Sequence, residues 1–227
     1  MSAAKKGGAD AAATLKILAG LSTSGVSDAL DRLGIAGQCF RVMPIFPGVR
    51  LCGPAFTLRY QPIGIEGGTV GDFIDDVPPG AVVAIDNAGR TDCTVWGDIL
   101  TDTAARRGIA GTVIHGICRD VDRSREMGYP LFATGHWMRT GKDRVHLVAT
   151  NEPVDIGGVL VAAGDILLGD DNGVVAVPAA RLAEVTETAA AIEAAEERIR
   201  AAIAEGSSLR EARAAQGYHA LQSRTKN

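Results

Sequence analysis

Apolar residues first recur at helical spacing at Leu15, Leu18 and Ala19, and the pattern breaks at Gly20. A second amphipathic helix is predicted from Val26, Ala29, Leu30 and Leu33, capped by Ser24 or Ser27 and stopped at Gly34. A stretch punctuated by Pro and Gly follows, with Val42-Met43 and Ala55 to Tyr60 reading as strands. From Gly80 the character changes. Ala81 to Ile85 is a short, continuous, β-branched apolar run, as a strand buried on both faces requires. Then come a helix from Asp98 to Arg107 ended by Gly108, a buried strand Gly111 to Ile114, a helix Asp120 to Met127, and a strand Leu131 to Ala133. That alternation predicts a parallel sheet with helices on its faces.

Between Val145 and Val177 the apolar pieces shorten to three or four residues separated by Gly, Asp and Asn, the pattern of hairpins. Asp171-Asn172-Gly173 is the strongest turn, because Asn and Gly tolerate positive φ. After Pro178 an Ala- and Glu-rich helix runs to about Ala204, Gly206 stops it, and Ser207 or Ser208 can cap one more. Residues 1–9 are small and polar and are expected to be flexible. No repeat, low-complexity tract or linker divides the chain, so a single α/β domain over 1–227, with 180–227 as its C-terminal helical segment, is expected.

Composition narrows the function classes. The net charge is −4 with Lys and Arg scattered, and aromatic residues make up 4%, which argues against a nucleic-acid partner. No apolar run approaches the ~18 residues a membrane span needs, and the first residues lack an apolar stretch with a cleavage site. A cytoplasmic protein without membrane contact is expected. The four widely spaced cysteines form no C-x-x-C pair and read as reduced core thiols.

Candidate chemistry collects in Trp96-Gly97-Asp98-Ile99-Leu100 and in His115-Gly116-Ile117-Cys118-Arg119-Asp120. A helix starting near Asp98 would present unpaired N–H groups to an anion. Gly116 lets the chain turn at the carboxyl end of a buried strand, the edge where open α/β sheets bind ligands. Arg119 has the planar fork for a carboxylate. Asp120 is a hard oxygen ligand suited to Mg²⁺, and a metal beside the guanidinium would chelate a 2-oxo acid. The bland alternatives are a surface ion pair with Asp120 capping a helix, an N-cap role for Asp98, and a structural His115. Asp170 and Asp171 read as part of the turn, and His136, His146 and His219 fit no ligand spacing.

At these residues the chain resembles the RraA-like proteins. Twenty residues, 99 to 118, separate Asp98 from Arg119, and Asp120 follows directly, as in that family's Asp, twenty residues, Arg-Asp motif. The likeness runs from about Leu21 to about Glu205. It takes in Ser27-Asp28-Ala29-Leu30, Gly53-Pro54-Ala55, Ala163-Gly164-Asp165 and Gly173 to Pro178. The family contains divalent-metal aldolases for 4-hydroxy-4-methyl-2-oxoglutarate and 4-carboxy-4-hydroxy-2-oxoadipate, and a non-enzymatic regulator of ribonuclease E.

The resemblance implies a layered α/β sandwich with a mixed sheet and a long C-terminal helix. It implies a class II pyruvate aldolase, with possible oxaloacetate decarboxylation, using Mg²⁺ or Mn²⁺. Arg119 would bind the pyruvate carboxylate, with Gly97 and the N–H groups of Ile99 and Leu100 completing the cradle. Asp120 would ligate the metal, and Asp98 would orient a water. A homotrimer or hexamer is implied, with sites at subunit boundaries and Glu197 or Glu196 of a neighbour reaching the metal's water shell.

Two positions depart from the family. Arg123 stands where an acidic residue is usual, with Asp122 beside it, and His115 replaces a small or acidic type. Arg123 is a candidate for favouring a more acidic substrate, and His115 for proton transfer. A Schiff-base route lacks a convincing lysine among Lys5, Lys6, Lys16, Lys142 and Lys226. No Gly-rich nucleotide loop supports a methyltransferase. The competing function is a ribonuclease-binding regulator, which needs neither Arg119 nor Asp120.

Overall fold

The computed structural model describes residues 2–65 and 68–218, with the side chains of residues 2–9 left aside. His219 and Lys226 lie outside the described residues. In chain order the elements are α1 (Ser2–Gly20), α2 (Thr23–Leu33), β1 (Gln38–Cys39), β2 (Met43–Pro44), β3 (Leu51–Pro62) and β4 (Val82–Asp86). Next come α3 (Asp98–Arg106), β5 (Gly111–Cys118), α4 (Val121–Met127), β6 (Leu131–His136) and β7 (Val145–Thr150). The chain continues with β8 (Val154–Ile156), β9 (Val159–Val161), β10 (Ile166–Asp170), β11 (Gly173–Val177), α5 (Leu182–Ala204) and α6 (Leu209–Ala215).

These elements fall into two compact units, residues 38–179 and a helical unit of 1–37 with 180–227. In the helical unit α2 packs on α5. Ser22, rather than Ser24 or Ser27, caps α2, its side chain accepting from the Gly25 N–H. Glu193 of α5 accepts from both the backbone N–H and the hydroxyl of Ser22 at 2.6 Å. α1 begins at Ser2 and so takes in residues where the sequence suggests a flexible start. Ser208 caps α6 in a capping box with Glu211. No helix among the described residues is long and apolar enough to cross a membrane.

The larger unit carries the mixed sheet. Its strand order is β1-β11-β10-β3-β4-β5-β6-β2, with β7 pairing antiparallel to the end of β3. β3, β4, β5 and β6 are parallel, and α3 and α4 provide the two crossovers after β4 and β5. β8–β9 and β10–β11 are hairpins, whereas the segment 145–150 returns to β3 instead of forming one.

Alternation within the strands divides two cores. Val83, Ile85 and Ile114 pack with Trp96 and Ala104 on the face that α3 and α4 cover. Val82, Ala84 and Val113 pack with Val154, Ile156 and Val161 of the β8–β9 hairpin on the other. Both faces of β4 are therefore dry, which explains its unbroken apolar run; each such side chain contributes roughly 1.5–3 kcal/mol. Within this unit helices cover one face and strands the other, where the sequence pattern suggests helices on both.

Candidate active site

The site forms where two strand-to-helix connections meet. The segment Thr94–Trp96 runs as a short extra strand beside the end of β5: Thr94 bridges Ile117 in parallel, and Arg119 N donates to the Trp96 carbonyl at 3.0 Å. That pairing fixes Gly97 and Asp98 next to Arg119 and Asp120, although the sequence keeps them more than twenty residues apart. β5 reaches this point through a register irregularity between Ile114 and Ile117. At its centre Gly116 adopts φ 152°, and a Cβ there would stand 3.0 Å from Asn87 Cβ.

Asp120 occupies the N-cap position of α4 with φ 54° and ψ 42°, the left-handed region, and its side chain does not cap that helix. A non-glycine residue there costs roughly 1 kcal/mol, though Asp is among the better-tolerated types. The turn directs the carboxylate backwards. Oδ2 lies 3.2 Å from Arg119 Nε and accepts from the Asp98 N–H of α3 at 3.3 Å. Asp120 is thus neither a helix cap nor one half of an isolated surface pair. It sits at the positive end of α3, where the first N–H groups lack intrahelical partners.

Gly97 is the N-cap of α3, and Asp98 is its first helical residue. A Cβ on Gly97 would lie 2.7 Å from Asp120 Oδ2 and 3.2 Å from Arg119 Nε, so the approach of these groups requires glycine. The cradle expected of Ile99 and Leu100 is partly taken by the chain itself, because Asp98 Oδ1 accepts from the Ile99 N–H at 2.8 Å. Arg119 is held through Nε alone; its terminal nitrogens have no partner among the described residues. They face a cleft of about 340 Å³, lined on one side by Gly97 to Leu100 and Arg119. Tyr60, Val70, Gly71, Asp72, Thr94, Val95, Trp96, Thr140 and Gly141 line the rest. Asp72, Tyr60 and Thr140 were not singled out by sequence; they come from the β3 exit and a turn after β6, which carry no motif.

Buried hydroxyls brace the floor. Thr101 Oγ1 accepts from Trp96 Nε1 at 2.9 Å, approaches Ser124 Oγ of α4 at 3.2 Å and reaches the Gly97 carbonyl at 3.0 Å. Thr101 and Ser124 are fully buried, and Trp96 stacks on Tyr129 with centroids 6.2 Å apart. Thr101→Val strands the indole N–H and is expected to destabilise by about 2 kcal/mol, lowering Tm by roughly 4–8 °C in thermal unfolding, with Thr101→Ser restoring most of it.

Two expected participants, His115 and Asp122, do not line the cleft. His115 Nδ1 is 2.9 Å from Asp155 Oδ1 and 3.8 Å from Asp86 Oδ1, on the hairpin-covered face, and does not line the cleft. β5 ends at Cys118, so Arg119 lies beyond the strand and does not follow the alternation that sets the face of His115. His115→Ala is therefore expected to keep turnover within about threefold while lowering Tm, since it removes a packing anchor and no reacting group. Asp122 is exposed and paired with Arg125 at 2.9 Å. Glu197 and Glu196, expected to act from a neighbouring copy, pair within the helical unit of their own chain with Arg200, at 2.9 Å and 3.8 Å.

Arg123 also turns away from the cleft. Its Nε and Nη2 donate to Asp102 of α3 at 2.6 and 3.1 Å, and Nη1 donates to Glu126. The hydrogen bond from Arg123 holds the Asp102 carboxyl below its ordinary range. The cysteines form no disulfide; burial pushes the Cys39 and Cys118 thiols up to about 12 and that of Cys52 to about 11, so none of these three is a nucleophile at neutral pH.

The donor set also constrains any metal. Asp120 Oδ1 has no partner among the described residues, and no cluster of three or more His, Cys, Asp or Glu fit to hold a metal occurs among them. One free carboxylate oxygen suits a hard divalent cation that keeps most of its waters, such as Mg²⁺ or Mn²⁺, and not a caged zinc.

A guanidinium and a carboxylate are thus gathered at a helix N-terminus, on the carboxyl edge of the parallel strands, the edge at which open α/β sheets commonly bind ligands. Residues 23–176 match the RraA-like family, described as Aldolase/RraA, and the chain belongs to that family. It is 45% identical over 202 residues to protein DlpA of Legionella pneumophila, covering 88% of this chain but only 33% of that protein. The chain thus spans about a third of that relative's length. A protein of Halalkalibacterium halodurans, provisionally named a 4-hydroxy-4-methyl-2-oxoglutarate aldolase, is 32% identical over 160 residues, 70% of this chain and 73% of the other. Among solved structures, Streptomyces coelicolor RraAS2, described as an unusual member of the RNase ES inhibitor RraA protein family, superposes with a TM-score of 0.76. It is 30% identical and covers 82% of this chain and 95% of that one.

Proposed function

We propose that this chain is a divalent-metal-dependent carbon–carbon lyase that cleaves a 4-hydroxy-2-oxo acid to pyruvate and a second carbonyl compound. The observation that carries the reading is the shared use of Asp120 Oδ2 by Arg119 Nε and the Asp98 N–H. It leaves one Asp120 oxygen and the Arg119 fork without partners among the described residues; Arg119 and Asp98 line the cleft, and Asp120 adjoins it through its contacts with both. The provisional aldolase name of the Halalkalibacterium relative supports the same chemistry.

Arg119 would bind the substrate carboxylate through its two terminal nitrogens, aided by the Leu100 N–H in the first turn of α3. Asp120 Oδ1 would hold Mg²⁺ or Mn²⁺, which when bound supplies Lewis-acid polarisation of the 2-oxo group. Cleavage breaks the C3–C4 bond. Its electron pair moves into the developing C2–C3 enolate of pyruvate, and the 4-hydroxyl proton departs as the second carbonyl forms. Asp98, at the cleft wall, would orient the water that takes this proton and later returns one to C3. The apolar wall of Val95, Trp96 and Val70 limits water around the carbanionic carbon.

The test is pyruvate release from 4-hydroxy-2-oxo acids and from oxaloacetate with Mg²⁺ or Mn²⁺, with and without chelator. Chelator-sensitive pyruvate is expected. The likeness to RraAS2 favours a second reading, a ribonuclease-binding regulator. Absence of chelator-sensitive pyruvate from every substrate, together with inhibition of a ribonuclease that survives Arg119→Ala, would establish that reading instead.

A further inference from the structure

We infer that Thr94 recognises the hydroxyl oxygen on C4 of the substrate, donating a hydrogen bond to it as the C3–C4 bond breaks. This role rests on the lyase reading above and deepens it. It concerns only the half of the substrate beyond the pyruvate unit, whatever further groups C4 carries.

Thr94 lines the cleft yet is only 3% exposed. Its Oγ1 has no hydrogen-bond partner among the described residues, and it is not one of the unpartnered side-chain atoms shut off from water. The opening it keeps is the cleft. An unpaired hydroxyl in a buried residue is unfavourable until something fills its bonding capacity, and a ligand oxygen does so. The other polar groups of the wall are committed or of another kind. Tyr60 Oη donates to the Val70 carbonyl at 2.6 Å, and Trp96 Nε1 donates to Thr101. Thr140 Oγ1 accepts from the Lys142 N–H at 3.2 Å in the turn after β6, on a half-buried side chain that water can satisfy. Asp72 and Asp98, as carboxylates, accept hydrogen bonds and donate none.

Thr94 is also held in place. Its N–H donates to the Arg139 carbonyl at 2.9 Å, and the residue bridges Ile117 on one side and Thr140 on the other. Gly141 packs so close to the Thr94 carbonyl that a Cβ there would collide with it. Two residues further along the same segment, the Trp96 carbonyl meets the Arg119 N–H. Two residues of extended chain span about 6–7 Å, the scale on which a 2-oxo acid held by its first carboxylate at Arg119 extends to a group on C4. A donor fixed there needs no reorganisation during the reaction.

In the cleavage the 4-hydroxyl proton leaves to the water that Asp98 orients, and the C4 oxygen carries its greatest charge before the new carbonyl is complete. The Thr94 hydroxyl donates to that oxygen and keeps its own proton, so the contact is strongest in the transition state. Oxaloacetate passes through the same pyruvate enolate without a 4-hydroxyl. Its C4 carboxylate starts charged and leaves as neutral carbon dioxide, so a donor at C4 favours the ground state and gives that reaction no advantage.

Thr94→Val keeps the shape of the side chain and removes the hydroxyl. With Mn²⁺, its kcat/KM for 4-hydroxy-4-methyl-2-oxoglutarate is expected to fall about 10–100-fold, chiefly in kcat. Oxaloacetate decarboxylation by the same variant should fall by no more than about threefold. Thr94→Ser should recover most of the loss on the hydroxy acid. The calorimetric Kd of pyruvate with Mn²⁺ should match the wild type, because pyruvate has no C4. Thermal unfolding should show no loss of Tm, because the deleted hydroxyl has no partner within the described chain. Equal losses on both substrates, a weakened pyruvate Kd, a lowered Tm, or undiminished cleavage of the hydroxy acid overturns the inference and leaves the lyase reading intact. If neither substrate yields chelator-sensitive pyruvate with the wild type, the lyase reading fails and the inference falls with it.

Discussion

Asp120→Asn is expected to lower metal-dependent kcat/KM on the order of a thousandfold while leaving Tm within about 2 °C of the wild type. The small structural effect follows from the backbone, because Asn tolerates the φ of 54° at this position nearly as well as Asp and has the same shape. The large functional effect follows from the lost charge, since the amide is a far poorer ligand for a hard cation and no longer pairs with Arg119. Asp120→Gly, which relaxes the left-handed turn, should unfold no more readily than wild type and be equally inactive. Arg119→Lys retains the charge but not the fork. It should cost about a hundredfold, chiefly in binding and orientation of the 2-oxo acid carboxylate. Steady-state kinetics with Mn²⁺, calorimetric metal titration and thermal unfolding on the same preparations separate these effects. Full turnover in both Asp120→Asn and Arg119→Lys would remove the basis of the proposed site.

Gly97→Ala should be nearly as damaging to activity, without touching a charged group. The added methyl would sit 2.7 Å from Asp120 Oδ2, closer than packing allows. Gly97 has φ −151°, an extended conformation open to any residue, so the substitution strains no backbone. The carboxylate is the end of a mobile side chain and can retreat by a few tenths of an ångström. Stability should therefore change by less than about 1 kcal/mol, and kcat/KM should fall about a hundredfold because the metal ligand and guanidinium are displaced together. Coupling identifies the cause. In an Asp120→Ala background the same methyl should cost almost nothing, since the group it displaces is already gone. Additive losses would mean that Gly97 acts through something other than the Asp120 carboxylate.

The contrast between His115 and Arg119 shows how far a one-dimensional reading reaches. Four residues apart, they would share a face by simple alternation if one strand carried both. The strand ends between them, at Cys118, leaving His115 against Asp155 and Arg119 in the cleft. Nothing in the local composition shows that the strand runs on past Gly116 and stops at Cys118. Arg123 repeats the lesson with charge: its partner Asp102 lies on another helix, and only the packing of α3 on α4 makes the pair.

The order of strands and helices from Val82 to His136 was written in the spacing of apolar residues, because each element's period is set by its own backbone geometry. The Asp171-Asn172 turn and the long helix 182–204 were equally local, as was the adjacency of Arg119 to Asp120. Tertiary structure alone decided which way those side chains point. The pairing of Thr94–Trp96 with the end of β5 brings the α3 N-terminus to Asp120, and the positive φ of Asp120 turns its carboxylate off its own helix. It also decided what surrounds the distal half of the cleft, where Tyr60, Asp72 and Thr140 arrive from separate segments. Such convergence depends on long-range pairing and packing, which no window of neighbouring residues encodes.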